Sequence, residues 1–355
     1  MRFSLGLLAM MWLHHWALWA WTAHSRGFSL LLGLDRWDAA HFSRIVTEGY
    51  VAPLYAFLPL YPGTVWAVRA LLGGTLPPQL VGTFASSAAL LLFVIWVSAR
   101  IQRNEASPLL PASRWAWFVF LYSPASYALH SHHSEGLFLL LSFGALLLAW
   151  EERLWPAVML ATFTLWCRNQ GVFVALTTLL LLTRGELLWR ERLRRVAVCG
   201  GWFAGAYLGL LVFEAYVSGG DLLAHLHAQQ QWNHVDTVWG MVRGLWFGNP
   251  WQKEPPSLFM WLRNVFAAVL LWASLRSFRR SPPVALYGAL SLLVMLPQGD
   301  FGNAYRFGAV LFPALFGLGD ALSRRPVWLR WTCALFLLWL NHQTAHAYLL
   351  SRWAY

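Results

Sequence analysis

Residues 35–50 read Asp35-Arg36-Trp37-Asp38-Ala39-Ala40-His41-Phe42-Ser43-Arg44-Ile45-Val46-Thr47-Glu48-Gly49-Tyr50, a short stretch rich in the residue types of proton transfer. Helical spacing from Asp38 brings His41 and Phe42 beside it, and Trp37 adds aromatic surface, so a carboxylate and an imidazole line one cleft mouth. A solvated interfacial helix is the plainer reading of the same residues. A second group, His130-Ser131-His132-His133-Ser134-Glu135, puts three histidines and a glutamate at one turn. Within this group neither HxxxH nor HExxH spacing occurs, so a polar turn facing water or an anion is preferred to a zinc site, and no metal ligand is assigned.

Arg168-Asn169-Gln170 interrupts an apolar run, where an unpaired charge is costly. Arg168 should therefore meet an anion such as phosphate, or an acidic partner, with Asp38 and Glu135 both open. Arg306, following Asp300-Phe301-Gly302-Asn303-Ala304-Tyr305, invites the same argument. Gln229-Gln230-Gln231-Trp232-Asn233-His234 offers amides, an indole and an imidazole suited to a sugar or polar headgroup, with Trp232 and Asn233 at its centre.

The elements that must position these residues are membrane helices. Apolar residues make up 58% of the 355 residues, charged residues 12%, and the mean hydropathy is +0.49. Apolar runs recur from end to end without a polar block long enough for a separate soluble core, so residues 1–355 form one domain. The class is an all-α polytopic membrane protein. The net charge of +11 would suit nucleic acid in a soluble chain, but the arginines cluster in short loops between apolar runs and serve as topology signals. No nucleic-acid partner is expected, and membrane lipid is.

A first helix is expected over residues 5–23, retained and not a signal peptide. Later segments fall near 78–100, 115–130, 135–150, 155–183, 196–217, 257–276, 284–297, 305–322 and 328–348. The 155–183 run is too long for one span and divides at Arg168. Loops bearing Arg100 to Arg114, Arg184 to Arg195, Arg276 to Arg280 and Arg324 to Arg330 are placed in the cytoplasm, giving about eleven crossings. Residues 56–72 then form an interfacial or re-entrant helix. Residues 33–56, 130–135, 168–170, 218–256 and 298–306 share the opposite face, with 33–56 as first loop and 218–256 as the larger one. Cys167, Cys199 and Cys333 lie in apolar segments, so neither a disulfide nor structural zinc is expected.

In their order, Trp37-Asp38-Ala39-Ala40-His41-Phe42 with Gly49-Tyr50, Ala56-Phe57-Leu58-Pro59-Leu60-Tyr61-Pro62, Ser123-Pro124-Ala125 with Ser134-Glu135-Gly136-Leu137-Phe138, and Arg168-Asn169-Gln170-Gly171 resemble the PIG-V family. These are mannosyltransferases of glycosylphosphatidylinositol (GPI) assembly and their prokaryotic relatives, in the GT-C class of membrane glycosyltransferases. The resemblance is strong over roughly residues 35–175 and general beyond. It implies a GT-C fold and transfer of mannose from a polyprenyl-phosphate donor to a glycan, lipid or protein acceptor on the exoplasmic or luminal face. Asp38 matches the catalytic base; no cofactor is required, and a divalent metal is possible but not implied. Arg168, His132, His133 and Arg306 then fall to the donor phosphate and sugar. Trp37, His41, Glu135, Asn169, Gln170, Trp232 and Asn233 fall to the acceptor or to support. His132-His133 departs from the family's pattern, adding possible cations beside the phosphate.

No Walker A loop, GxGxxG turn or GxSxG elbow is present, which argues against an ATP-driven pump and a soluble nucleotide-sugar enzyme. A lipid-linked-sugar transporter would distribute polarity over both faces, often with an internal repeat, whereas here polarity is one-sided. A non-catalytic partner subunit is the third reading. The arginine bias and the lack of a KDEL-type signal point to a bacterial plasma membrane, with the endoplasmic reticulum membrane as the alternative for a eukaryotic chain.

Overall fold

The structure is a computed structural model that describes residues 1–232, 258–295 and 303–352. The described residues are helical and contain no strand. Helices α1 (Arg2–Arg26) and α2 (Leu30–Leu34) lead into α3 (Asp38–Glu48) and α4 (Leu60–Leu71). Then follow α5 (Pro78–Gln102), α6 (Arg114–Leu121), α7 (Glu135–Trp150), α8 (Leu154–Cys167), α9 (Gly171–Leu182) and α10 (Trp189–Ser218). The chain continues through α11 (Ala224–Trp232), α12 (Leu258–Arg276), α13 (Pro282–Leu293), α14 (Ala304–Ala309), α15 (Phe312–Ser323) and α16 (Val327–Leu349).

Among the described residues, three helical stretches are long and apolar enough to cross a bilayer: Pro78–Gln102, Trp189–Ser218 and Leu258–Arg279. Shorter apolar helices, among them α7, α8, α9 and α13, complete the bundle. Helix α7 packs on α5, α8 and α9, and α6 packs on α15. Because lipid is as apolar as leucine, this association rests on close packing more than on a hydrophobic driving force. Phe93, Phe120, Phe143, Phe312 and Phe316, from α5, α6, α7 and α15, meet mostly edge-on or tilted, with ring centroids 5.1 Å apart for Phe93–Phe143 and 5.3 Å for Phe120–Phe316, while Phe93 and Phe316 are stacked. Each such pair contributes about 0.5–1.5 kcal/mol beyond its area.

The expected division of 155–183 is observed, with α8 ending at Cys167 and α9 starting at Gly171. Helix α4 has 12 residues, about 18 Å of rise, the same length as α9 and α13. Three boundaries need correction. The 115–130 segment is helical only to Leu121, because Ser123-Pro124 ends the run and a one-turn 3-10 helix (Ser126–Leu129) follows. The 305–322 segment is two helices, with Pro313 in the first turn of the second. Helix α10 begins at Trp189, so Arg190 to Arg195 are helical and not a loop, with Glu191 joined to Arg194 and Arg195 along one face.

The two ends of α7 differ in chemistry. Beyond its C-terminus, Arg100 joins Glu151 at 2.7 Å and Glu105 at 2.8 Å, while Arg184 lies 3.5 Å over the Trp150 ring. Glu135 forms the other end, about 24 Å away along the 16-residue helix.

Candidate active site

Asp38 opens α3, and the residue before it is strained. Trp37 has φ 53°, ψ −129°, a backbone that favours glycine, and it serves as the N-cap. From that turn the Asp38 carboxylate meets Arg306, while α3 packs Ala39, Phe42, Ile45 and Val46 into the bundle. His41, one turn along, stacks tilted on Phe57 at 5.2 Å. Burial lowers its pKa, against the pull of the Asp38 charge.

Glu135 is the first residue of α7 and is wholly buried. Its position at a helix N-terminus suits a carboxylate, but the larger compensation comes from two arginines. Arg168 reaches Glu135 Oε1 at 2.6 Å and donates to the Ser134 hydroxyl at 2.9 Å. Arg306 donates from Nε to Glu135 Oε1 at 2.7 Å and from NH1 to Asp38 Oδ2 at 2.6 Å. Asp38, Arg306, Glu135 and Arg168 thus form one chain of alternating charge, from four helices or helix ends that lie far apart in sequence. Side-chain exposure is 25% for Asp38, 7% for Arg306, 0% for Glu135 and 11% for Arg168, so Asp38 is the member that faces outward. Arg168 also lies over the rings of Phe307 at 5.5 Å and Phe138 at 6.0 Å.

Between α6 and α7, residues 122–134 form a buried turn that presents Glu135. Polar contacts hold it from three helices. Asn341 of α16 donates to the Ser123 carbonyl at 2.8 Å and to Ser126 Oγ at 2.9 Å, and accepts from His15 Nε2 at 2.7 Å. His15 Nδ1 is then an acceptor for His130 Nε2, also at 2.7 Å. From α5, Ser86 and Ser87 donate to the carbonyls of His133 and His130.

Two glycines explain why the surrounding motifs read as they do. A Cβ on Gly136 would lie 2.3 Å from the Leu129 carbonyl, and one on Gly171 2.1 Å from the Thr164 carbonyl. Gly171 thereby lets the α8–α9 turn close tightly enough to project Arg168. Gly171→Ala is expected to lower stability by about 1–3 kcal/mol through overpacking, read as a lower unfolding midpoint in detergent.

The structure gives His132 and His133 a different character from the cations expected. His132 sits against Tyr61 of α4, with Nδ1 at 2.9 Å from the phenol oxygen, and His133 Nδ1 meets Ser131 Oγ at 2.9 Å. Burial first, then the charge of the neighbouring histidine, pushes His132 down to about 3; burial, then Arg306, pushes His133 down to about 4. Both are therefore neutral near pH 7. A histidine held neutral in the fold but able to take a proton when unfolded contributes stability that is complete above its unfolded pKa and is lost as pH falls toward its folded one. The unfolding midpoint is expected to decline as pH drops from 6.5 toward 4, and His132→Gln should flatten that decline.

Of the remaining residues singled out by sequence, Gln170 is buried and its Oε1 lies 3.4 Å from Arg168 Nε. Asn169 is exposed. Trp232 ends α11, its side chain and Asn233 lying outside the described residues. Sequence reasoning passed over Ser134 as a ligand of Arg168, and over Tyr127 and Tyr348 beside His133. Only Ser134 carried a signal, its place directly before Glu135.

Comparison with known proteins adds an independent line. The sequence profile of the family described as Mannosyltransferase (PIG-V) matches residues 23–200, half of the chain, a range that holds Asp38, Glu135 and Arg168 but not Arg306. GPI alpha-1,6-mannosyltransferase 2 of Homo sapiens is 31% identical over 154 residues, covering 40% of this chain and 30% of the human protein. The Cricetulus griseus protein of the same name is 32% identical over 154 residues, with the same shares of 40% and 30%. The match thus spans about a third of the curated relatives' length. No solved structure matches the chain. On the family match over half its length, in the order of motifs that builds the charged site, the chain belongs to the PIG-V mannosyltransferase family.

Proposed function

We propose that this protein is a membrane mannosyltransferase. It moves a mannosyl residue from a polyprenyl-phosphate-mannose donor to an acceptor hydroxyl on a glycan, lipid or protein, with inversion at the anomeric carbon. The observation that carries the reading is the Asp38–Arg306–Glu135–Arg168 chain, with its one outward-facing carboxylate backed by two guanidinium groups. In the reaction, Asp38 takes the acceptor proton as the acceptor oxygen bonds to the anomeric carbon and the bond to phosphate breaks. Arg306 and Arg168 offset the charge that grows on the departing phosphate. Family membership and the names of the relatives support mannosyl transfer.

A GT-C fold with about eleven crossings belongs to this reading, supported by Arg100 and Arg184 lying at the far end of α7 from Glu135. That arrangement favours an active face on the exoplasmic or luminal side, and the arginine-rich composition favours a bacterial plasma membrane. Purified protein in nanodiscs should release polyprenyl phosphate from polyprenyl-phosphate-mannose and label an acceptor extract. Donor binding with no release across lipid, glycan and peptide acceptors would instead favour a transporter or a non-catalytic subunit.

A further inference from the structure

Beside the charged chain lie polar atoms that neither the ion pairs nor the turn's own hydrogen bonds use. The Tyr127 hydroxyl and His133 Nε2 are buried and, among the described residues, have no hydrogen-bond partner; the same is true of the second Glu135 oxygen, Oε2. Tyr127 and His133 are each wholly buried. A buried hydroxyl or imidazole nitrogen without a partner carries a desolvation penalty of about 1–3 kcal/mol, so several in one place indicate a site completed by something else.

These groups are neighbours. The Tyr127 and His133 rings meet edge-on at 6.1 Å, and Tyr348 closes the third side, stacked on Tyr127 at 4.8 Å and edge-on to His133 at 5.2 Å. Tyr348 is held in place by its hydroxyl, which donates to the Leu34 carbonyl at 2.8 Å, four residues before Asp38. His133 stands two residues before Glu135, and the Tyr348 hydroxyl is anchored four residues before Asp38, which sets the trio beside the charged chain.

The chemistry selects the ligand. An anion would seek the guanidinium groups of Arg306 and Arg168. Tyr127 and His133 are uncharged groups that exchange single hydrogen bonds with hydroxyls, on a wall of aromatic rings, which is the lining for a neutral polyol ring.

We propose that Tyr127 and His133 bind hydroxyls of the hexose on the lipid donor, with Tyr348 fixing the wall behind them. The proposal rests on the transferase reading and divides the site into a phosphate part, on the arginines, and a sugar part, on this trio. Asp38 is the outward-facing member of the chain, so the sugar arrives from its side and Arg306 turns from Asp38 toward the donor phosphate.

Tyr127→Phe is the decisive variant, because the hydroxyl it removes has no partner and the ring stacked on Tyr348 is kept. Affinities of the full chain in nanodiscs are measured for polyprenyl-phosphate-mannose and for polyprenyl phosphate of the same length. Wild type should prefer the mannosyl lipid. Tyr127→Phe should reduce that preference by roughly 5-fold, the worth of one hydrogen bond, with polyprenyl phosphate binding unchanged. His133→Gln should reduce it similarly.

An unchanged preference in Tyr127→Phe, with wild type discriminating and turning over donor, overturns the inference while leaving the transferase reading intact; the unpartnered atoms would then belong to a buried water. Equal loss of both ligands also overturns it, as a general disturbance of the site. Wild type that turns over donor yet binds both lipids equally overturns the inference alone; wild type that binds donor but never releases polyprenyl phosphate brings down the transferase reading, and this inference with it.

Discussion

Asp38→Asn is expected to lower mannosyl transfer by about 10²–10⁴-fold, the usual contribution of a positioned general base. The substitution keeps the shape and one hydrogen-bond acceptor but removes the charge that would draw the acceptor proton. The fold should survive it. Arg306 keeps both of its bonds to Glu135, and Asp38 is one-quarter exposed, so the loss stays below the about 3–5 kcal/mol of breaking a fully buried pair. The measurement pairs turnover of polyprenyl-phosphate-mannose with the unfolding midpoint of the same preparation. A steep loss of turnover at near-native stability separates a chemical role for Asp38 from a structural one. Asp38→Asn with wild-type turnover would take the carboxylate out of the mechanism. Asp38→Glu is informative beside it: the charge returns on a longer arm that no longer matches Arg306 NH1 at 2.6 Å, so only partial recovery is expected.

The membership of this site was largely legible in the sequence. Asp38, Glu135, Arg168 and Arg306 stand out because charge inside an apolar chain is costly and must have a reason, and one-sided polarity puts them on one face. Their pairing was not legible. Arg168 had two acidic residues within its reach as partners, and only the packing of α7 against α8 directs it to Glu135.

Other features escaped for a common reason. Hydropathy treats Tyr127 and Tyr348 as two more aromatic residues in apolar surroundings, so nothing in the sequence distinguishes a core ring from one lining a polar site. It is equally blind to the helix breaks at Ser123-Pro124 and Pro313, where composition stays apolar while the backbone changes course. The histidines of the turn were visible as types but not as charge states, which depend on burial that only the fold supplies.

The largest effect on stability is expected at Glu135. It is the centre of the network, with one oxygen accepting from both arginines, and it is fully buried. Glu135→Gln leaves Arg168 and Arg306 in place and changes the local balance from two positive against two negative charges to two against one. Breaking a buried pair by removing one partner costs about 3–5 kcal/mol, because the remaining charge keeps its desolvation penalty without its compensation. The lost carboxylate serves two guanidinium groups here, so the upper part of that range is expected, read as a lower denaturation midpoint in detergent. Adding Arg168→Met to Glu135→Gln restores the balance to Asp38 against Arg306 with a side chain that fills apolar space. The double variant should therefore be more stable than Glu135→Gln alone, a non-additivity that coupled charges predict and independent ones do not. Strict additivity of the two changes, or Glu135→Gln within about 1 kcal/mol of wild type, would mean that packing of α7 and not this ion network holds the turn in place. In that case the charges would be free to serve the reaction alone, and Glu135→Gln should lower turnover without touching the fold.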